Sequence, residues 1–133
     1  MPAWIEYAHL AAAATLRDNL ISMLDANITG VTMDSFPGQA QITIACQFAF
    51  TEPDLDRQYQ FSIALEAPDG TTVAKGLGTL KPSRPPDADL AFPWVWTAVQ
   101  QTPFVATEPG HFLIRVTLEG VQEKVLPLAV KQL

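Results

Sequence analysis

Gln41-Ile42-Thr43-Ile44-Ala45-Cys46-Gln47-Phe48-Ala49-Phe50 is the stretch that decides the fold. Ile42, Ile44, Cys46, Phe48 and Phe50 are apolar at every second position, with Thr43, Ala45, Gln47 and Ala49 between them. That is the period of a strand with one face buried. The pattern recurs downstream, where Tyr59, Phe61, Ile63 and Leu65 alternate with Gln60, Ser62, Ala64 and Glu66. Pro68-Asp69-Gly70 then supplies a fixed φ, a residue at ease in a turn and a glycine free to take positive φ. These predict a three-residue hairpin loop with a glycine bulge, leading into a strand over Thr72–Leu80. Burying one Phe or Ile is worth roughly 1.5–3 kcal/mol, so the inward side chains of these two runs supply the larger part of a small core.

On the C-terminal side, Lys81-Pro82-Ser83-Arg84-Pro85-Pro86-Asp87 is polar and extended, long enough to cross between two sheets. Phe92, Trp94 and Trp96 fall on one face of the strand after it. Glu108-Pro109-Gly110 has the order of a type II turn. Phe112, Ile114, Val116 and Leu118 alternate with Leu113, Arg115, Thr117 and Glu119, and Glu119-Gly120 turns the chain into a last strand, Val121–Val130. Pro127 cannot donate to a ladder and marks an edge or a bulge there.

On the N-terminal side the reading divides. Four alanines after Leu10 favour a helix over Ala3–Thr15 on propensity, whereas Ile5, Tyr7 and His9 set against Trp4, Glu6 and Ala8 suit a two-sided strand. Leu20–Ile28 is mostly apolar and fits either a strand buried on both faces or a short helix. The whole is the pattern of an all-β protein, a two-sheet antiparallel β-sandwich of about seven or eight strands.

Bulk properties narrow the setting. The 133 residues make one domain, 1–133, large enough to bury its own core without staples. A composition 48% apolar and 17% charged argues against disorder. The net charge of −6 opposes phosphate backbones and anionic lipid, so neither nucleic acid nor membrane is an expected partner. Leu90–Thr107 is uncharged, but Pro93, Pro103, Gln100 and Gln101 argue against a membrane span. Cys46, the single cysteine, falls among the inward positions and reads as a buried thiol, which excludes an intrachain disulfide. With Glu6 in its apolar opening and no basic residue before Arg17, the N-terminus does not read as a signal peptide, and the expected location is cytoplasmic.

A family resemblance rests on Glu6-Tyr7-Ala8, Leu10-Ala11 and Ala13, then Asn19-Leu20-Ile21, Ala67-Pro68-Asp69-Gly70, Glu108-Pro109-Gly110-His111-Phe112, Arg115-Val116 and Glu119-Gly120. In this order the chain resembles an uncharacterised bacterial family of small immunoglobulin-like β-sandwich proteins, known only by a domain-of-unknown-function label. The resemblance implies a strand over residues 4–13 and a compact two-sheet sandwich. It brings no activity with it.

No catalytic motif is present: there is no Gly-x-Ser-x-Gly elbow, phosphate-cradling glycine loop or His-Glu-x-x-His. His9 and His111 are isolated in sequence, and a general base needs an orienter and a substrate beside it. Glu52, Asp54 and Asp56, with Asp87 and Asp89, offer the hard oxygens that calcium takes, but without the spacing of a calcium loop they read as solvated acidic connections. Phe92, Trp94 and Trp96 are the group to watch. Facing out, they make a flat apolar platform for a sugar or a partner; facing in, they fill the core. The expectation is therefore a non-catalytic interaction or accessory module with no cofactor or metal. It would act through its surface on another protein or self-associate through an edge strand. The alternative is a small-molecule or carbohydrate-binding module using Phe92, Trp94 and Trp96.

Overall fold

A computed structural model describes residues 3–17, 20–26, 28–51, 54, 57–82 and 94–133. Its strands are β1 (Trp4–Arg17), β2 (Leu20–Ala26), β3 (Gly30–Met33), β4 (Gly38–Phe50), β5 (Tyr59–Glu66), β6 (Thr72–Leu80), β7 (Trp94–Ala106), β8 (Gly110–Leu118) and β9 (Gln122–Gln132). They form a four-stranded sheet in the order β2-β1-β4-β7 and a five-stranded sheet in the order β3-β9-β8-β5-β6, which curls toward a half-barrel. Two features differ from the expected sandwich. There are nine strands among the described residues, and β3 runs parallel to β9 rather than antiparallel.

The alternating runs take the places their periods assign. Ile42, Ile44, Cys46, Phe48 and Phe50 of β4 are all buried, as are Tyr59, Phe61, Ile63 and Leu65 of β5 and Phe112, Ile114, Val116 and Leu118 of β8. Burial pushes the Cys46 thiol up to about 12, so it is a small neutral hydrophobe of the core. The outward residues Thr43, Ala45 and Ala49 are buried as well. Strand β4 is flanked on both sides, and these small side chains sit between larger cross-strand neighbours: Ala45 between His9 and Val99, Ala49 between Trp4 and Val95.

Turn chemistry fixes the hairpins. Gly70 takes φ 88° and its N–H donates to the Ala67 carbonyl at 2.9 Å, while the Ala67 N–H donates to the Thr71 carbonyl at 2.8 Å, closing the anticipated three-residue loop. A separate register shift between Leu65 and Glu66 leaves Val73 as an extra residue on β6. The Asp69 carboxylate accepts the Thr71 N–H at 2.9 Å, which holds the loop closed. Pro127 stands opposite Leu113 of β8, and β3 joins the other side of β9 only from Ala129 onward. The proline thus occupies a stretch of β9 with no second neighbour among the described strands, as an edge reading requires.

At the N-terminus the strand outweighs the helix. From Trp4 to Ala11 strand β1 pairs with β4, and from Ala11 to Arg17 with β2. Helix propensity differs among ordinary residues by at most about 0.7 kcal/mol each, and ladder bonds with buried neighbours override it. A bulge at Glu6 resets the faces: Ile5, Ala8 and Leu10 are buried, while Tyr7 and His9 turn outward. Beyond Ala11, strand β1 leaves β4, so Ala13–Arg17 and their β2 partners extend as a two-stranded arm.

Candidate functional site

Trp94 and Trp96 lie opposite Phe50 and Phe48 in the β4–β7 register, and this places their rings on the inner face of the sheet. Trp94 is 7% exposed and meets Phe50 nearly edge-on, with centroids 5.9 Å apart at 64°. The half-buried Trp96 lies 5.7 Å from Phe61 and 6.2 Å from Phe48, whose own rings are 4.9 Å apart. These rings join the two sheets, so Trp94 and Trp96 follow the core alternative rather than forming a flat platform in water. Phe92, the third member of the predicted group, lies outside the described residues.

The fit depends on bare backbone in β6. A Cβ on Gly78 would stand 2.3 Å from Cζ of Phe61, and one on Gly76 would stand 2.2 Å from the Gln100 amide nitrogen. The Gln100 amide donates to Thr102 Oγ1 at 3.1 Å. Strand β6 can therefore approach the aromatic cluster only because it has no side chains at these positions.

Of the acidic residues considered for calcium, Glu52, Asp56, Asp87 and Asp89 lie outside the described residues. Asp54 differs from the solvated-loop reading: it is 1% exposed. Its carboxylate accepts the Thr51 N–H at 2.8 Å, the Thr51 hydroxyl at 3.3 Å and the Tyr59 hydroxyl at 2.8 Å. The donors needed to bury a charge are already in place, so Asp54 ties the β4–β5 connection to β5. Among the described residues no group of three or more His, Cys, Asp or Glu side chains is placed to hold a metal ion.

The imidazoles are kept apart by the fold. His9 stacks on Tyr7, with centroids 4.9 Å apart at 25°, on the outer face of the four-stranded sheet. His111 is exposed on β8 in the other sheet.

The outer face of the five-stranded sheet carries the arrangement that the sequence reading missed. Arg115 at its centre holds Glu66 of β5 through two bonds, Nε to Oε2 at 3.0 Å and one terminal nitrogen to Oε1 at 3.2 Å. Its other terminal nitrogen bonds Glu123 of β9. The guanidinium keeps the Glu66 carboxyl below the usual carboxylate range, first by its hydrogen bond and then by its charge. Around this ion cluster stand exposed aliphatic side chains: Leu77 at 79%, with Leu113 and Val125 about half as open. Beside it runs a groove of about 360 Å³ lined by Gln60, Ser62, Leu77, Thr79, Thr117 and others. A signal for this face was present in the sequence, since Leu113 is apolar at an outward position of an otherwise clean alternation.

One comparison places the chain. The model of a family of unknown function, DUF6941, matches residues 6–131. The chain belongs to that family. The match opens at Glu6, the bulge residue of β1, and runs through to β9, so DUF6941 membership covers both sheets. No curated protein matches the sequence. Among the described residues no helix is long and apolar enough to cross a membrane.

Proposed function

We propose that this DUF6941 chain is a non-catalytic interaction module that recruits another protein through the outer face of its five-stranded sheet. The observation that carries the reading is the cluster of Arg115, Glu66 and Glu123 set among exposed Leu77, Leu113 and Val125. Paired charges arrive at an interface already partnered, which lowers the desolvation cost of covering them. The aliphatic side chains around them supply contact area, as in the mixed surfaces proteins use for transient association.

The same proposal takes the fold as immunoglobulin-like. The orders β1-β4-β7 and β9-β8-β5-β6 support an immunoglobulin-like sandwich, with β4, β5, β7, β8 and β9 in the roles of strands B, C, E, F and G. The β1–β2 arm and the parallel β3 are additions to that plan. A bacterial origin and a reducing, cytoplasmic setting are part of the reading, the latter supported by the lone buried Cys46.

Affinity capture from the native host with the wild type beside Leu77→Glu and Leu113→Glu tests it. Both side chains are exposed, so the variants keep the fold. The proposal expects a protein held by the wild type and released by both variants. Identical captured sets for all three would overturn it. The carbohydrate-binding alternative has less support, because of the two described rings of the group Trp94 is covered and Trp96 is half-buried.

A further inference from the structure

We infer that β2 is a self-association edge, pairing antiparallel with β2 of a second copy about a two-fold axis at Ser22. The inference rests on the reading that this chain works by contacts, and it assigns a surface distinct from the outer face of the five-stranded sheet. Edge strands with open ladders recruit other strands unless the sequence blunts them. Among the described strands the four edges are β2, β7, β3 and β6. Strand β3 is only four residues long, β6 carries Lys75 between exposed positions, and β7 carries Pro103. In contrast, β2 has its one charge, Asp25, next to its last residue, and Leu20-Ile21-Ser22-Met23-Leu24 before it has no charge, no proline and no glycine.

A second observation asks for another strand at that edge. Among the described strands, β1 from Ala13 to Arg17 pairs in a ladder only with β2, and a two-stranded hairpin is marginal in water. It nevertheless leaves Leu16 at 47%, Leu20 at 73% and Met23 at 36% exposed. A further pair of strands turns the arm into part of a continuous sheet and covers apolar surface.

The sequence of the edge selects a second copy as the occupant. Read in either direction from Ser22, the segment is apolar, apolar, Ser, apolar, apolar. An isologous antiparallel pair therefore sets Ile21 opposite Met23 and Leu20 opposite Leu24 in register across the axis, each pairing made twice. Each copy has net charge −6, yet none of that charge lies in the five residues at the seam.

One axis residue gives a test with opposite outcomes. By light scattering the full chain is expected to be a dimer. Ser22→Lys sets two ammonium groups directly opposite each other and should shift the population to monomer with an unchanged circular dichroism spectrum. Ser22→Cys should be captured as a disulfide dimer by mild oxidant, with buried Cys46 not competing. Thr15→Cys is the control. Thr15 lies opposite Ser22 across the hairpin, so its two copies would be three strand spacings apart, about 14 Å. A disulfide usually needs Cα atoms about 4.4–6.8 Å apart, and the control should stay monomeric on the oxidising gel. A monomeric wild type, a dimer indifferent to Ser22→Lys, or a Ser22→Cys protein that cross-links no better than Thr15→Cys would overturn the assignment. Affinity capture, read in parallel, separates the two surfaces: Ser22→Lys should abolish the dimer and still hold the protein that Leu77→Glu releases.

Discussion

Asp54 accepts three hydrogen bonds while almost fully buried, and its loss strands donors on Thr51 and Tyr59. Asp54→Ala is expected to cost about 3 kcal/mol, read from urea denaturation midpoints at constant slope. Asp54→Asn should lose part of that, since one carboxylate oxygen becomes a donor facing other donors. The sequence concealed this role because a carboxylate in an acidic, proline-containing connection looks solvated, and its partner Tyr59 belongs to the next strand. Glu66 acts at the same scale on the surface. Its folded pKa is lowered by Arg115, so its stabilising contribution is present above the ordinary Glu value and is lost as pH falls through the lowered one. Melting temperatures of the wild type should therefore fall more steeply on acidification than those of Glu66→Gln, with the two profiles differing most above the ordinary Glu range. Parallel profiles would show that the pair contributes nothing.

Strand β6 states the case for elements. Its Gly78 leaves room for the Phe61 ring, and a methyl there meets a rigid aromatic 2.3 Å away. Gly78→Ala should destabilise by about 1–3 kcal/mol, whereas Gly76→Ala should cost less because its obstacle is the movable end of Gln100. Combining Gly78→Ala with Phe61→Leu should cost less than the sum of the two, which a double-mutant cycle measures. The elements themselves were unequally legible. Strands β4, β5 and β8 bury one face each in strict alternation, and their turns carry the required Pro, Asp and Gly, so local pattern and tertiary structure agree. Strand β1 was ambiguous for two physical reasons. The bulge at Glu6 breaks the period of two, and the alanines beyond Leu10 carry a helix preference that only pairing with β4 and β2 overrides. The parallel placement of β3 against β9 joins segments from opposite ends of the chain, and no local signal announces it.

At the scale of the whole molecule, the aromatic side chains of β4, β5 and β7 hold two sheets together, and the contact surfaces we propose are a charged, aliphatic sheet face and the β2 edge. Which way Trp94 and Trp96 point was open in the sequence, because period-two patterning says that residues share a face without saying which face is wet. Pairing in register with Phe48 and Phe50 decides it. The outer-face cluster around Arg115 was harder to see, since Glu66, Arg115 and Glu123 come from three strands and only the assembled sheet brings them together. The most direct measurement of this account is acrylamide quenching of tryptophan emission in Trp4→Phe protein, which leaves only Trp94 and Trp96 to report. The account predicts a quenching slope well below that of the same protein unfolded in denaturant. A folded protein whose slope equals the unfolded one would place those indoles in water and contradict it.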